Sequence, residues 1–186
     1  MKDAVYRIRK GGRRMKAVVK TARGKGNTVY MDVDMPQPGP NDVKIAVKAA
    51  SICSSDLHCF CVDSFSTRMC VPVVLGHEGA GVVVETGCNV THVKSGDRVM
   101  AHPMYSSCGI CSFCLEGRHN ICAHKKSLGS QLNGYFAEYT IASSVSTFKL
   151  PKNISFEAAA LTEPLACVTH AVLERAKLCP GDSVAV

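Results

Sequence analysis

Cys108, Cys111, Cys114 and Cys122 follow one another as C-x2-C-x2-C-x7-C. Four thiolates in so short a loop suit a closed tetrahedral zinc site, which stabilises a loop and performs no reaction. The C-x2-C-x2-C start is shared with bacterial iron–sulfur ligand runs. Against that reading, Cys122 comes too late, no proline follows it and no second set exists. A nucleic-acid zinc ribbon would pair two C-x2-C units at longer spacing. Two further motifs stand apart: Cys53-Ser54-Ser55-Asp56-Leu57-His58 and Gly76-His77-Glu78-Gly79-Ala80-Gly81. A thiolate, an imidazole and a carboxylate can make a zinc site with three protein ligands and one open position. Such a position polarises an alcohol or carbonyl oxygen. A nearby hydroxyl and histidine can carry the released proton away.

Those groups need a scaffold. Val43–Ala50 alternates well enough for a half-buried strand, after a turn-rich stretch from Met35 to Asp42. Met15–Lys20, Gly81–Glu85, the end of 93–100, and 134–142 also read as strands. Many short strands with Gly and Pro turns predict a closed, barrel-like β domain. Near the end the pattern changes. Ser155 caps a short helix with Glu157 in its first turn. A second helix is expected from about Leu165 to Lys177, after Pro164. Pro180-Gly181-Asp182 is a turn, and Ser183–Val186 begins a strand.

Composition narrows the function classes. The chain has 186 residues, 46% of them hydrophobic and 20% charged, enough to build a core. No apolar run approaches the ~20 residues of a membrane helix. With no secretory signal, a cytoplasmic protein is expected. The net charge of +7 is local: seven Lys and Arg and a single acid fall in residues 1–16, leaving a nearly neutral body. Such a body offers no electrostatic footprint for nucleic acid. Eleven cysteines, an odd number without a signal peptide, favour metal or catalytic use over a disulfide framework.

In combination these motifs resemble the zinc-dependent medium-chain alcohol dehydrogenase superfamily. Gly76-His77-Glu78-x2-Gly81-x5-Gly87 is similar to its zinc signature, and Cys53-x-Ser55-Asp56-x-His58 to its first zinc-ligand motif. The four-cysteine lobe is similar to its structural zinc. All three stand in the family's order. The implied fold is mainly β with short helices: a GroES-like β-barrel catalytic domain, with the chain stopping at the first strand of a Rossmann domain. Residues 1–14 would be a basic disordered extension, 15–160 the zinc-binding domain, and 161–186 a joining helix plus that first strand.

The resemblance implies two zinc ions per chain. Cys53 and His77 would hold the catalytic zinc, with Glu78 a ligand or a close neighbour. Asp56 would orient the ligand histidine. Ser55 would relay the alcohol's proton and His58 would continue the relay. Glu163-Pro164-Leu165 resembles the segment that sorbitol and threonine dehydrogenases place beside zinc, which favours Glu163 there. Simple alcohol dehydrogenases use a cysteine at the position of Cys167, which stays the alternative. The segment from Cys59 to Val71 would form a substrate-facing loop. The other histidines, among them His92, His102, His119 and His170, read as surface or structural groups.

The implied reaction is oxidation of a secondary alcohol, such as a polyol, sugar alcohol or hydroxy amino acid, to a ketone with NAD or NADP. The complete enzyme would be a homo-oligomer acting on a small alcohol, with neither nucleic acid nor membrane as partner. The G-x-G-x-x-G fingerprint of a dinucleotide site does not occur. The chain is therefore expected to be a fragment of a longer enzyme and inactive alone. The competing readings are one half of a split dehydrogenase and a non-catalytic zinc-stabilised interaction module.

Overall fold

The computed structural model describes residues 12–62 and 69–185. Residues 1–11 of the expected basic extension lie outside them. The strands are β1 (Arg14–Lys20), β2 (Thr28–Asp34), β3 (Asp42–Ser51), β4 (Val73–Val74), β5 (Glu78–Thr86), β6 (Arg98–Ala101), β7 (Met104–Ser106), β8 (Lys126–Ser127), β9 (Tyr139–Ser143) and β10 (Thr147–Lys149). The helices are α1 (Ser54–Cys61), α2 (Ser112–Leu115), α3 (Phe156–Ala160) and α4 (Thr162–Thr169), the last running into a π-helical turn over His170–Arg175. The fold is mainly β with short helices, as expected. Among the described residues no helix is long and apolar enough to cross a membrane.

All ladders are antiparallel. One sheet runs β2-β1-β4, a larger one β10-β6-β5-β3-β9, and β7 pairs β8. The first two sheets are stitched along one seam: Val18 N–H donates to Phe136 O at 2.8 Å and Glu138 N–H to Lys16 O at 3.2 Å. Inside the larger sheet, Val43, Ile45, Val83, Val99 and Ala142 pack around Tyr135. The Tyr135 hydroxyl accepts from Ala101 N–H at 3.1 Å and donates to Ala101 O at 3.2 Å, so this buried phenol leaves nothing unpaired.

The ladders explain where sequence expectations shift. The strand expected over 134–142 begins only at Tyr139. Residues 134–137 instead pack on the loop before His77, with Tyr135 N–H donating to Gly76 O and Phe136 N–H to Leu75 O, both 2.9 Å. A side-chain carbon on Gly134 would lie 1.8 Å from Gly76 O, and one on Gly129 would lie 2.7 Å from it. Gly76 itself has φ +87°, and a carbon there would meet the Phe136 ring at 2.5 Å. The helix expected from Leu165 starts at Thr162. Pro164 sits in its first turn, where the missing N–H costs no intrahelical bond. Helical structure stops at Arg175, before the expected Lys177, which has φ +54°. Ser183–Ala185 is exposed and forms no strand among the described residues, because a strand needs a ladder partner and none lies beside it. Cys59 to Cys61 is the end of α1 and not loop. Cys59 is buried with Met69, Val73 and Leu75, while 63–68 lie outside the described residues.

Candidate metal centres

The β3–β5 register builds the first centre. Ser51, the last residue of β3, pairs with Glu78, the first of β5. Two irregularities interrupt that ladder, one leaving Val84 of β5 unpaired and one leaving Lys48 of β3 unpaired, and the latter bends β3 as a bulge does. Cys53, two residues beyond β3, therefore lies beside His77, one residue before β5. One ligand atom from each of Cys53, His77 and Glu78 falls within 4.8 Å of the others.

Second contacts hold each donor. Cys53 is the residue before α1, and its N–H donates to Asp56 Oδ2 at 3.1 Å, half of a capping box. The other Asp56 oxygen lies 3.5 Å from His77 Nδ1. That contact places a proton on Nδ1 and turns Nε2 toward the centre, the usual arrangement of a ligand histidine. In the metal-free protein, the Asp56 carboxylate holds the His77 imidazole up at about 9. Glu78 is 3% exposed and accepts a hydrogen bond from the Ser51 hydroxyl. Ser55 Oγ lies 3.4 Å from His77 Nε2. His58 is exposed one turn further along α1.

Glu163 and Cys167 stand outside that three-residue group. They face each other one turn apart on α4, the thiol donating to Glu163 Oε1 at 3.6 Å. Burial, then the negative charges of Glu163, Cys53 and Glu78, push the Cys167 thiol up. Cys167 is thus within the electrostatic reach of the centre. Glu163 lines a cavity of about 460 Å³ together with His102. Burial lowers the His102 imidazole's pKa and Glu163 partly restores it. His102 Nδ1 accepts from Met104 N–H at 3.1 Å. Sequence reasoning missed Ser51, which carries no spacing signal. Ser51 is identifiable only through its ladder partner.

The second centre is local. The sulfurs of Cys108, Cys111, Cys114 and Cys122 lie within 4.8 Å of one another. Backbone N–H groups of Ile110 and Cys111 hold the Cys108 thiol below its ordinary value, which favours the thiolate a metal needs. His124 N–H donates to Cys122 Sγ at 3.4 Å. His119, read from sequence as a surface or structural group, sits 3.1 Å from Ser107 Oγ and helps to lower the Cys114 thiol. Four converging sulfurs with N–H donors behind them fit a tetrahedral zinc ion.

Known proteins resemble this chain in sequence and fold. The family model of the alcohol dehydrogenase GroES-like domain matches residues 39–152. A sorbitol dehydrogenase of Halalkalibacterium halodurans is 43% identical over 172 residues, covering 92% of this chain and 49% of that protein. An L-threonine 3-dehydrogenase of Bacillus velezensis is 39% identical over 176 residues, covering 94% of this chain and 50% of that one. The structure of a cobalt- and zinc-bound alcohol dehydrogenase from Pyrobaculum aerophilum matches with a TM-score of 0.78 at 28% identity, over 92% of this chain and 50% of its own. The chain spans about half the length of the curated relatives it matches. Motif order, family match and shared fold agree: the chain belongs to the alcohol dehydrogenase GroES-like domain family, among the zinc-binding medium-chain dehydrogenases.

Proposed function

We propose that this chain is the metal-bearing catalytic half of a polyol- or threonine-type dehydrogenase that oxidises a secondary alcohol to a ketone. The observation that carries this reading is the convergence of Cys53, His77 and Glu78, with Asp56 behind the imidazole and Ser55 before it. Cys53 and His77 would hold zinc, with Glu78 beside them and Glu163, on α4 outside that group, as the candidate further ligand. The four-cysteine lobe would hold a second zinc. When bound, the catalytic zinc supplies a Lewis acid for the alcohol oxygen, and a nicotinamide supplies the hydride acceptor. Ser55 Oγ takes the hydroxyl proton and His58 passes it to solvent, which its exposure permits. Asp56 keeps Nδ1 protonated and so keeps Nε2 available. The GroES-like part spans residues 15–160, and residues 161–186 lead toward a nicotinamide domain such as the longer relatives have room for.

Cobalt titration tests the ligand set, because thiolate-to-cobalt bands report the number of sulfurs bound. Two ions per chain are expected, one in a four-sulfur and one in a single-sulfur site. Glu163→Gln should weaken the second site while Cys167→Ser leaves its spectrum unchanged. A spectrum that loses sulfur bands in Cys167→Ser assigns the ligand to Cys167. Uptake of only one ion, unaffected by His77→Ala, overturns the catalytic centre. Turnover is then assayed in the full-length protein with sorbitol and L-threonine, NAD and NADP.

A further inference from the structure

A cavity of about 450 Å³ lies under β7, β8 and β9 and shares no lining residue with either metal centre. Its inner wall holds Asp42, 9% exposed. Asp42 Oδ2 accepts from Gly39 N–H at 2.8 Å, and Oδ1 from the Tyr105 hydroxyl at 2.6 Å. Both donors are neutral, and Asp42 makes no ion pair with a described residue. A buried carboxylate without a counter-charge is costly, and each oxygen keeps lone pairs to offer. Burial, then Asp42, push the Tyr105 hydroxyl up to about 12, so it stays a donor to the carboxylate.

The outer rim has the opposite character. Lys126 lines the same cavity, is exposed, and has no ion-pair partner among the described residues. Tyr105 and Tyr139 also line the cavity; Lys44 Nζ already lies 5.8 Å from the Tyr139 ring, so the Tyr105 ring is the surface that suits the apolar flank of an organic ammonium. Asn133 adds a directional group. Its Oδ1 accepts from Val74 N–H at 2.9 Å, which leaves its amide N–H2 as the end without a described partner.

We propose that this cavity is a second binding site, for a small zwitterion of the free amino acid class, with its ammonium against Asp42 and its carboxylate against Lys126. An inner anion and a rim cation discriminate. Asp42 repels a simple acid, Lys126 repels a simple amine, and a molecule carrying both charges satisfies both. The proposal does not rest on the dehydrogenase reading, because no residue of the metal centres contributes to the cavity.

The test is calorimetric titration of the metal-loaded protein with L-phenylalanine, which has no hydroxyl group and is no alcohol substrate. Saturable binding of one molecule per chain is expected. Phenethylamine and 3-phenylpropionate should each bind about tenfold or more weakly. Asp42→Asn should weaken L-phenylalanine by a similar factor. Lys126→Met alters only an exposed side chain and should leave the fold untouched. It should weaken L-phenylalanine and leave phenethylamine unweakened. Absence of saturable binding overturns the proposal. So does 3-phenylpropionate binding as tightly as L-phenylalanine, or an unchanged affinity for L-phenylalanine in Lys126→Met.

Discussion

The two cysteine-bearing centres are built on opposite plans. The four-sulfur lobe draws all its donors from residues 108–122, around the four-residue α2 and a 3-10 turn over His119–Ile121. Ile110 and Leu115 there are 83% and 76% exposed, so the lobe has little core of its own. The Cys53–His77–Glu78 centre instead joins segments far apart in the chain, on the paired ends of β3 and β5 above a packed sheet. A loop without a core depends on its metal to fold, whereas a site on a sheet is largely formed before metal arrives.

Damage to the two centres should therefore differ most in stability. Cys114→Ser is expected to cost more than about 4 kcal/mol, the class of effect that follows loss of a structural metal. Residues 107–125 should lose amide-exchange protection with it. His77→Ala should remove one metal ion from the mass spectrum while the exchange pattern of β3 and β5 persists. Equal loss of protection at both centres would break the comparison.

The next largest effect separates ligand from support. Asp56→Asn should weaken zinc at the sheet-borne centre by about 10–100-fold, as outer partners of ligand histidines do, and leave the lobe's affinity alone. A competition titration with a chromophoric chelator reads both sites.

Acidity sharpens the contrast further. In the metal-free fold, Asp56 holds His77 at about 9, above the 6.5 of an unfolded histidine. A raised value means the charged pair stabilises the fold fully below about pH 6.5, and that this contribution disappears as pH rises through about 9. Metal has to displace the same proton. Zinc affinity at this centre should fall as pH drops below about 9, with proton release on binding that shrinks in Asp56→Asn. Calorimetry in buffers of different ionisation enthalpy measures the protons.

The smallest effect is remote. Ser155 Oγ accepts from Ala158 N–H at 3.1 Å and caps α3, whose Ala160 O lies 3.4 Å from Ser51 Oγ. Ser155→Ala should cost about 1 kcal/mol of global stability in thermal melts. It should touch the sheet-borne centre slightly and the lobe not at all.

The same contrast explains what could be read without coordinates. The lobe's candidate ligands follow from spacing alone; the strand carrying Val43 follows from its alternation, the one carrying Val83 from its β-branched run, and the one carrying Val99 from the turn before it. Asp56 is readable through the resemblance of Cys53-x-Ser55-Asp56-x-His58 to a zinc-ligand motif, whereas its capping box with Cys53 comes from the structure. Ser51 escapes because its role comes from a ladder register. Lys44 reads as solvent-facing yet is 6% exposed, lying over the Tyr139 ring and 3.5 Å from Glu85. The delayed start of β9 was hidden because 134–142 reads as one strand, whereas Gly134, Tyr135 and Phe136 donate to the carbonyls of Val74, Gly76 and Leu75.

The loop of Gly76 has a consequence for anyone who would re-engineer the pocket. Gly76, Gly129 and Gly134 stack backbone against backbone, immediately ahead of the ligand imidazole. In a saturation library these three distant positions should behave as one intolerant column, since a methyl on any of them displaces His77 before it changes specificity. Library diversity belongs instead on the solvent side of α1, at Leu57 and Phe60, where new side chains meet open space.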